Sequence, residues 1–233
     1  MSCVCRCCGT PFARQPATAE FLHEIVGQEH AKRATEIAWA GGHPIAFIGG
    51  APAEEFASCI NGRLAYARAI QPCPCGNLGN PKLECTCFPD EVRRFRGTKE
   101  WNAVRVAGGL MVEVPEAPFR AIQRGTEGNE PETAIGERVA RANGVQRDRQ
   151  AKLNHELTAR DVRQWCAPDS EGERLLELAV QGIALTARDI MAVLRIARTI
   201  ADLDVYSSCP RKSLSELQAR HIAEAVAYRS VRP

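Results

Sequence analysis

Apolar and polar positions alternate in two different rhythms along the chain. From residue 27 to 39, Ala31, Ala34, Ile37 and Ala38 recur three and four apart, with Lys32, Arg33 and Glu36 between them. That spacing predicts a helix with one buried face. Gly41 and Gly42 follow as its C-cap. Residues 44–48 (Pro-Ile-Ala-Phe-Ile) form a continuous apolar run stopped by Gly49-Gly50, which predicts a buried strand. A helix is expected over 53–60, opening on Glu54 and Glu55 where the helix dipole favours acids. Residues 63–70 are ambiguous: their alanines favour helix, and their alternation permits a strand. A short helix is predicted over 89–95 and a second strand over 110–114, before Pro115.

Beyond Thr133 the rhythm is helical only. Residues 132–150 form a charged helix with a narrow apolar face. Thr158 with Asp161, Ser170 with Glu173, Thr186 with Asp189, and Ser213 with Glu216 have the spacing of capping boxes, in which a hydroxyl and an acid satisfy free N–H groups at a helix start. Ile190, Val193, Leu194, Ala197, Ile200 and Ala201 form a core stripe. The C-terminal part is therefore expected to be a helical bundle.

Composition narrows the field without naming a function. The 233 residues suit one medium domain and a smaller one. A net charge of +2 gives no global argument for nucleic acid or membrane, and no segment is apolar and long enough to span a bilayer. The polar, cysteine-rich start at residues 1–9 does not read as a signal peptide. A cytoplasmic setting follows, in which thiols stay reduced and clustered cysteines favour metal over disulfides.

That matters because the chain has 11 cysteines. Cys73 and Cys75, then Cys85 and Cys87, flank a turn containing Gly76, Gly79, Asn80 and Pro81. Four thiolates converging from two tight knuckles suit a tetrahedral Zn²⁺ with no open coordination position; four buried or disulfide-linked cysteines are the alternative. Cys5 and Cys8 supply half of a possible second site, with Cys3, Cys7, Cys59 or a second copy of the chain as partners, against incidental thiols in a tail. Arg93, Arg94, Arg96 and Lys99 follow the central cysteines and could meet phosphates of DNA, or simply form a solvated helix face.

The order strand, Gly49-Gly50, helix is that of a phosphate-binding loop, whose pattern is G-x-x-x-x-G-K-[ST]. Counted from Gly49, the second glycine falls on Glu54, the lysine on Glu55 and the hydroxyl on Phe56. A carboxylate in place of the lysine reverses an interaction worth several kcal/mol at ~4 Å and intermediate dielectric. No apolar run ending in Asp-Glu stands downstream to hold Mg²⁺. ATP and Mg²⁺ are not expected to bind in the ordinary way. The five histidines stand singly, without a sequence-level nucleophile beside them.

Glu24-Ile-Val-Gly-Gln-Glu-His-Ala-Lys-Arg-Ala34, Ala40-Gly-Gly-His43, Pro72-Cys-Pro-Cys-Gly76, Cys85-Thr-Cys87, Val112-Glu-Val-Pro115 and the run from Leu185 to Leu203 resemble, in order, the magnesium-chelatase-like AAA+ family in its ComM/YifB branch. The resemblance implies an α/β reduced AAA+-like core with a cysteine-rich zinc loop, followed by an all-α helical lid domain. Its divisions would be a cysteine-rich tail over 1–20, a shortened core over 21–131 with the zinc loop at 71–88, and the lid over 132–233. It places a vestigial nucleotide site at Gly27, Gln28, Gly49, Gly50 and Arg188, with Gln71 at a sensor position. Of the family's Asp-Arg-Ile-Asp arginine element, only Arg105 survives in Val104-Arg105-Val106-Ala107. It also implies an internal deletion between Glu55 and Gln71. Two functions follow. One is a zinc-stabilised binding or scaffold protein that does not hydrolyse ATP. The other is a residual ATPase acting in DNA branch migration, or in a mixed ring with intact family members. Homo-oligomers are possible under either, and no membrane association is implied.

Overall fold

The computed structural model describes residues 22–60, 64, 66–204 and 216–231, together with two short strands near the start. Those strands, β1 (Cys3–Val4) and β2 (Pro11–Phe12), pair antiparallel. The side chains of Cys5, Cys8 and Cys59 and the capping hydroxyl of Ser213 lie outside the described residues, so the second metal site and the fourth box are not addressed.

Three parallel strands form the sheet at the centre, in the order β4-β3-β5. β3 (Ile45–Ile48) is buried along its whole length, which is why its sequence is a continuous apolar run. Ile45 and Phe47 join the larger core cluster, while Ala46 and Ile48 join a smaller one with Ile70, Trp101, Val104 and Met111. β4 (Ala67–Ile70) resolves the ambiguous stretch in favour of its alternation: Ala67 and Ala69 pack toward the larger cluster, Ile70 toward the smaller. β5 (Leu110–Glu113) pairs with the other edge of β3, Ile45 opposite Leu110.

α1 (Glu29–Gly41) begins after Gly27 and Gln28, both left-handed, and ends where Gly42 at φ 69° returns its N–H to Ala38 O. A Cβ on Gly42 would lie 2.6 Å from His155 Nδ1, so close approach and backbone conformation both call for glycine. α2 (Ala51–Ile60) starts two residues earlier than its charge pattern suggests. The predicted short helix is α3 (Pro89–Arg96), and a second helix that the pattern did not reveal, α4 (Lys99–Val106), follows it with Thr98 as N-cap. α5 (Phe119–Arg124) is short and mostly exposed.

The helical part comprises α6 (Glu132–Gln150), a 3-10 turn (Asn154–Glu156), α7 (Ala159–Trp165), α8 (Ser170–Ile183), α9 (Ala187–Asp204) and α10 (Ala219–Ala227). Thr158 and Thr186 cap as expected. At α8 the cap is Asp169, whose carboxylate accepts from Gly172 N at 2.7 Å, and Ser170 is already the first helical residue. The bridge between Pro168 and Leu217, with Asp169 N donating to Leu217 O, holds residue 169 extended and so fixes the cap there. α9 is the axis of the bundle. Val193, Ala197, Ile200 and Ala201 are buried, and Ile190 and Leu194 pack against the same cluster. That cluster continues without a break through Ile37 of α1, Phe56 of α2, Val139 of α6 and Ile222 of α10.

α9 also buries a polar side. Asp202 accepts from Arg149, Arg198 and Asn154, while Asn154 and His43 both bond Thr199 Oγ1, at 3.0 and 2.8 Å. Two of the histidines, distant in sequence, come together here: the His43 and His155 rings meet edge-on with centroids 6.4 Å apart, and His155 Nδ1 bonds Gly41 O. Burial, with His155 and Arg195 nearby, holds His43 down at about 3. The unfolded chain takes up that proton near pH 6.5 and the folded chain refuses it until about pH 3. Stability is thus complete above pH 6.5 and falls as the pH drops through that window. Between pH 7 and 4.5 the loss from His43 alone should reach about 2–3 kcal/mol. Urea midpoints of His43→Gln should fall correspondingly less than those of the parent over this range; parallel curves would rule out this role for His43.

Candidate metal centre and the cleft beside it

β4 runs out at Ile70, and within three residues the chain places Cys73 in the protein interior. Gly76 N then bonds Cys73 O, and Gly76 and Gly79 adopt φ of 80° and 81°, where a side chain would be strained. Asn80 Oδ1 accepts from Lys82 N and Leu83 N, turning the chain back toward the second pair. The result brings all four sulfurs of Cys73, Cys75, Cys85 and Cys87 within 4.8 Å of one another. Cys73 and Cys75 are 3.4 Å apart, Cys73 and Cys85 3.7 Å, and Cys75 and Cys85 3.6 Å. A disulfide would need about 2.05 Å, so these are free thiols. Tetrahedral coordination with metal–sulfur bonds of about 2.3 Å places sulfurs about 3.8 Å apart, close to the spacing found. The four cysteines could hold a metal ion. Backbone N–H groups of Asn77 and Thr86 lower Cys75 to about 6, while desolvation pushes Cys87 up to about 12. Cys166, by contrast, is buried and pushed up to about 12 by that burial, the state of an unreactive core thiol.

A cleft of about 310 Å³ opens between this loop and the carboxyl ends of the three strands. Gly49 and Gly50 form one wall, Gly76, Leu78 and Asn80 another, and Val114 to Glu116 a third. Ligands of open parallel sheets bind at this end. Its charged lining is mixed: Glu113 and Glu116 stand with Arg96. Only Gly49 and Gly50 separate β3 from α2. A Cβ on Gly49 would lie 2.5 Å from Val114 O, so this glycine lets two backbones meet. Glu54 and Glu55 are exposed on the first turns of α2, and Phe56 turns into the core against Phe47, ring centroids 5.1 Å apart.

Two family models match the chain: "Magnesium chelatase, subunit ChlI" over residues 21–65 and "Magnesium chelatase, subunit ChlI C-terminal" over residues 129–229. YifB of Escherichia coli is 29% identical over 175 residues, YifB of Salmonella typhimurium 26% and competence protein ComM of Haemophilus influenzae 27%. Each alignment covers 72% of this chain and 31% of the relative, so the chain spans about a third of the length of these proteins. The chain belongs to the magnesium-chelatase-like ComM/YifB family.

Within this family member the residues singled out by sequence divide clearly. Gln28 is tied to the cleft, its amide donating to Pro115 O. Arg188 is exposed on the first turn of α9 and does not line the cleft. Arg105 is committed inside the molecule, to Asp189 at 3.2 Å and to Val231 O. Of the basic quartet, Arg93, Arg94 and Lys99 face solvent, with Arg93 paired to Asp90. Arg96 turns inward, donating to Pro72 O at 2.9 Å with its guanidinium 5.5 Å from the Trp101 ring centroid. Sequence reasoning did not single out Trp101, Glu113 or Glu116; the N-cap Thr98 three residues before Trp101 was the available signal for the helix that carries the tryptophan. No described helix is long and apolar enough to cross a membrane.

Proposed function

We propose that this chain is a zinc-stabilised binding or scaffold protein of its family and does not hydrolyse ATP. The observation that carries the reading is the junction of β3 and α2, where two residues replace a phosphate-cradling loop. Glu55 stands where the lysine of that loop belongs, and Phe56, at the hydroxyl position, fills the core. The small parallel sheet serves as a reduced AAA+-like core over residues 21–131, and the helices of 132–233 as the lid. Zn²⁺ on Cys73, Cys75, Cys85 and Cys87 would supply structure rather than reaction chemistry, since four thiolates leave no open position. Arg93, Arg94 and Lys99, presented beside the metal loop, would meet DNA phosphates or an acidic partner.

The purified chain should contain one zinc per molecule and give no heat or turnover with Mg-ATP. Cys73→Ser should lose the zinc together with helical circular dichroism. ATP hydrolysis by the parent would overturn the reading. The exposure of Arg188 favours one second reading, a chain that joins intact family members in a ring and acts on a neighbour's nucleotide. A rise in an intact relative's ATPase on mixing, lost with Arg188→Ala, would select it.

A further inference from the structure

We propose that Arg96 and Trp101 are positioning residues for the metal centre, and that the corner between α3 and α4 sets how tightly the loop holds its ion. The proposal rests on the metal reading above. Three successive carbonyls lead into Cys73, and each is held by a different part of the fold. Ile70 O accepts from Gly49 N at 3.1 Å, Gln71 O from Trp101 Nε1 at 3.3 Å, and Pro72 O from Arg96 Nε at 2.9 Å. The backbone that delivers the buried thiol is therefore fixed up to the residue before it.

The two holding side chains are themselves fixed. Trp101 is buried in the smaller core with Ile48, Ile70, Val104 and Met111. Arg96 lies over its ring, where a guanidinium is attracted by the aromatic face. Asn102 Nδ2 donates to Arg96 O and Thr98 O and closes the corner between the helices. α3 also begins two residues after Cys87, with Phe88 N donating to Glu91 Oε2. One eight-residue helix thus runs from the second cysteine pair back to the carbonyl beside the first. An ion bound by the four sulfurs would close this circuit, and Arg96 closes it from the opposite side. Outer groups of this kind orient ligands, and their loss commonly weakens metal affinity 10–100-fold.

The test uses the full chain and Co²⁺, whose visible bands report tetrahedral thiolate geometry, with Zn²⁺ affinity measured against a chromophoric chelator. Trp101→Phe keeps an aromatic ring but deletes the N–H donor together with part of the indole's volume, and Arg96→Gln deletes the guanidinium while leaving the buried core filled. Each should weaken Zn²⁺ binding roughly tenfold or more and shift the Co²⁺ bands, while metal-free unfolding of Arg96→Gln stays near that of the parent and that of Trp101→Phe falls only by the cost of the cavity it leaves. Asp90→Asn, on the solvent face of the same helix, should change neither. Parent-like affinity and spectra in both inner variants would overturn the positioning role while leaving the metal site standing. A parent that binds neither ion would overturn the metal reading and this one with it.

Discussion

Asp202→Asn should cost the fold about 3–5 kcal/mol, the effect expected when one partner of a buried ion group is removed. The Asp202 side chain has no solvent exposure, and those of Arg149 and Arg198 have 4% and 2%. Arg149 donates to both carboxylate oxygens, at 2.7 and 2.8 Å, Arg198 Nε to one at 3.2 Å, and Asn154 Nδ2 to the other at 2.9 Å. An asparagine keeps the shape and removes the charge that both guanidiniums share. It also turns an NH₂ toward groups that only donate. The largely exposed pair Asp90 and Arg93 is the comparison: Asp90→Asn should move stability by less than about 0.5 kcal/mol. Urea unfolding at pH 7 measures both. A change below about 1 kcal/mol at Asp202 would mean that water or a rearranged side chain replaces the carboxylate.

Arg198 and Asp202 show what sequence could and could not reveal. Four residues apart on a helix, they read as an ordinary surface pair, because the third member, Arg149, lies 53 residues away in sequence. The apolar stripe of α9 was legible since its period is local; the buried polar side depends on which helices pack there. β3 was legible for the same reason, a run apolar on both faces. β4 was not, since four residues with two alanines satisfy either period until β3 lies beside them. The thiol cluster was legible because two close-spaced pairs flank residues that turn the chain, Gly76, Gly79 and Asn80, and both signals are local. The direction of Arg96 was not. In sequence it is one of four basic residues near one another, and only the carbonyl of Pro72 and the ring of Trp101 separate it from the three that face solvent. Asp169 outranks Ser170 as a cap through a backbone bridge to Leu217, a contact 48 residues away that no local pattern contains.

Asp189→Asn is expected to be the second most damaging change, at about 3 kcal/mol or more. Asp189 is the third residue of α9 and its carboxylate serves two purposes at once. It accepts from Thr186 N and Oγ1 as half of a capping box, and it pairs with Arg105 of α4 and with the fully buried Arg229 beyond α10. Burial by itself would raise its pKa; the Thr186 hydroxyl and amide, together with Arg229, outweigh that and hold it well below the usual carboxylate range. Its stabilisation is therefore present above the unfolded value of about 3.9 and is lost only as the pH falls beneath it. Arg229 also donates to Arg105 O and Gly109 O, just ahead of β5, so the group joins the sheet to the helical part. Thr186→Val separates the two purposes, since it removes the cap alone and should cost about 1 kcal/mol. If Asp189→Asn cost no more than that, the carboxylate would be acting as a helix cap only, and the junction of α4 with α9 would rest on apolar packing.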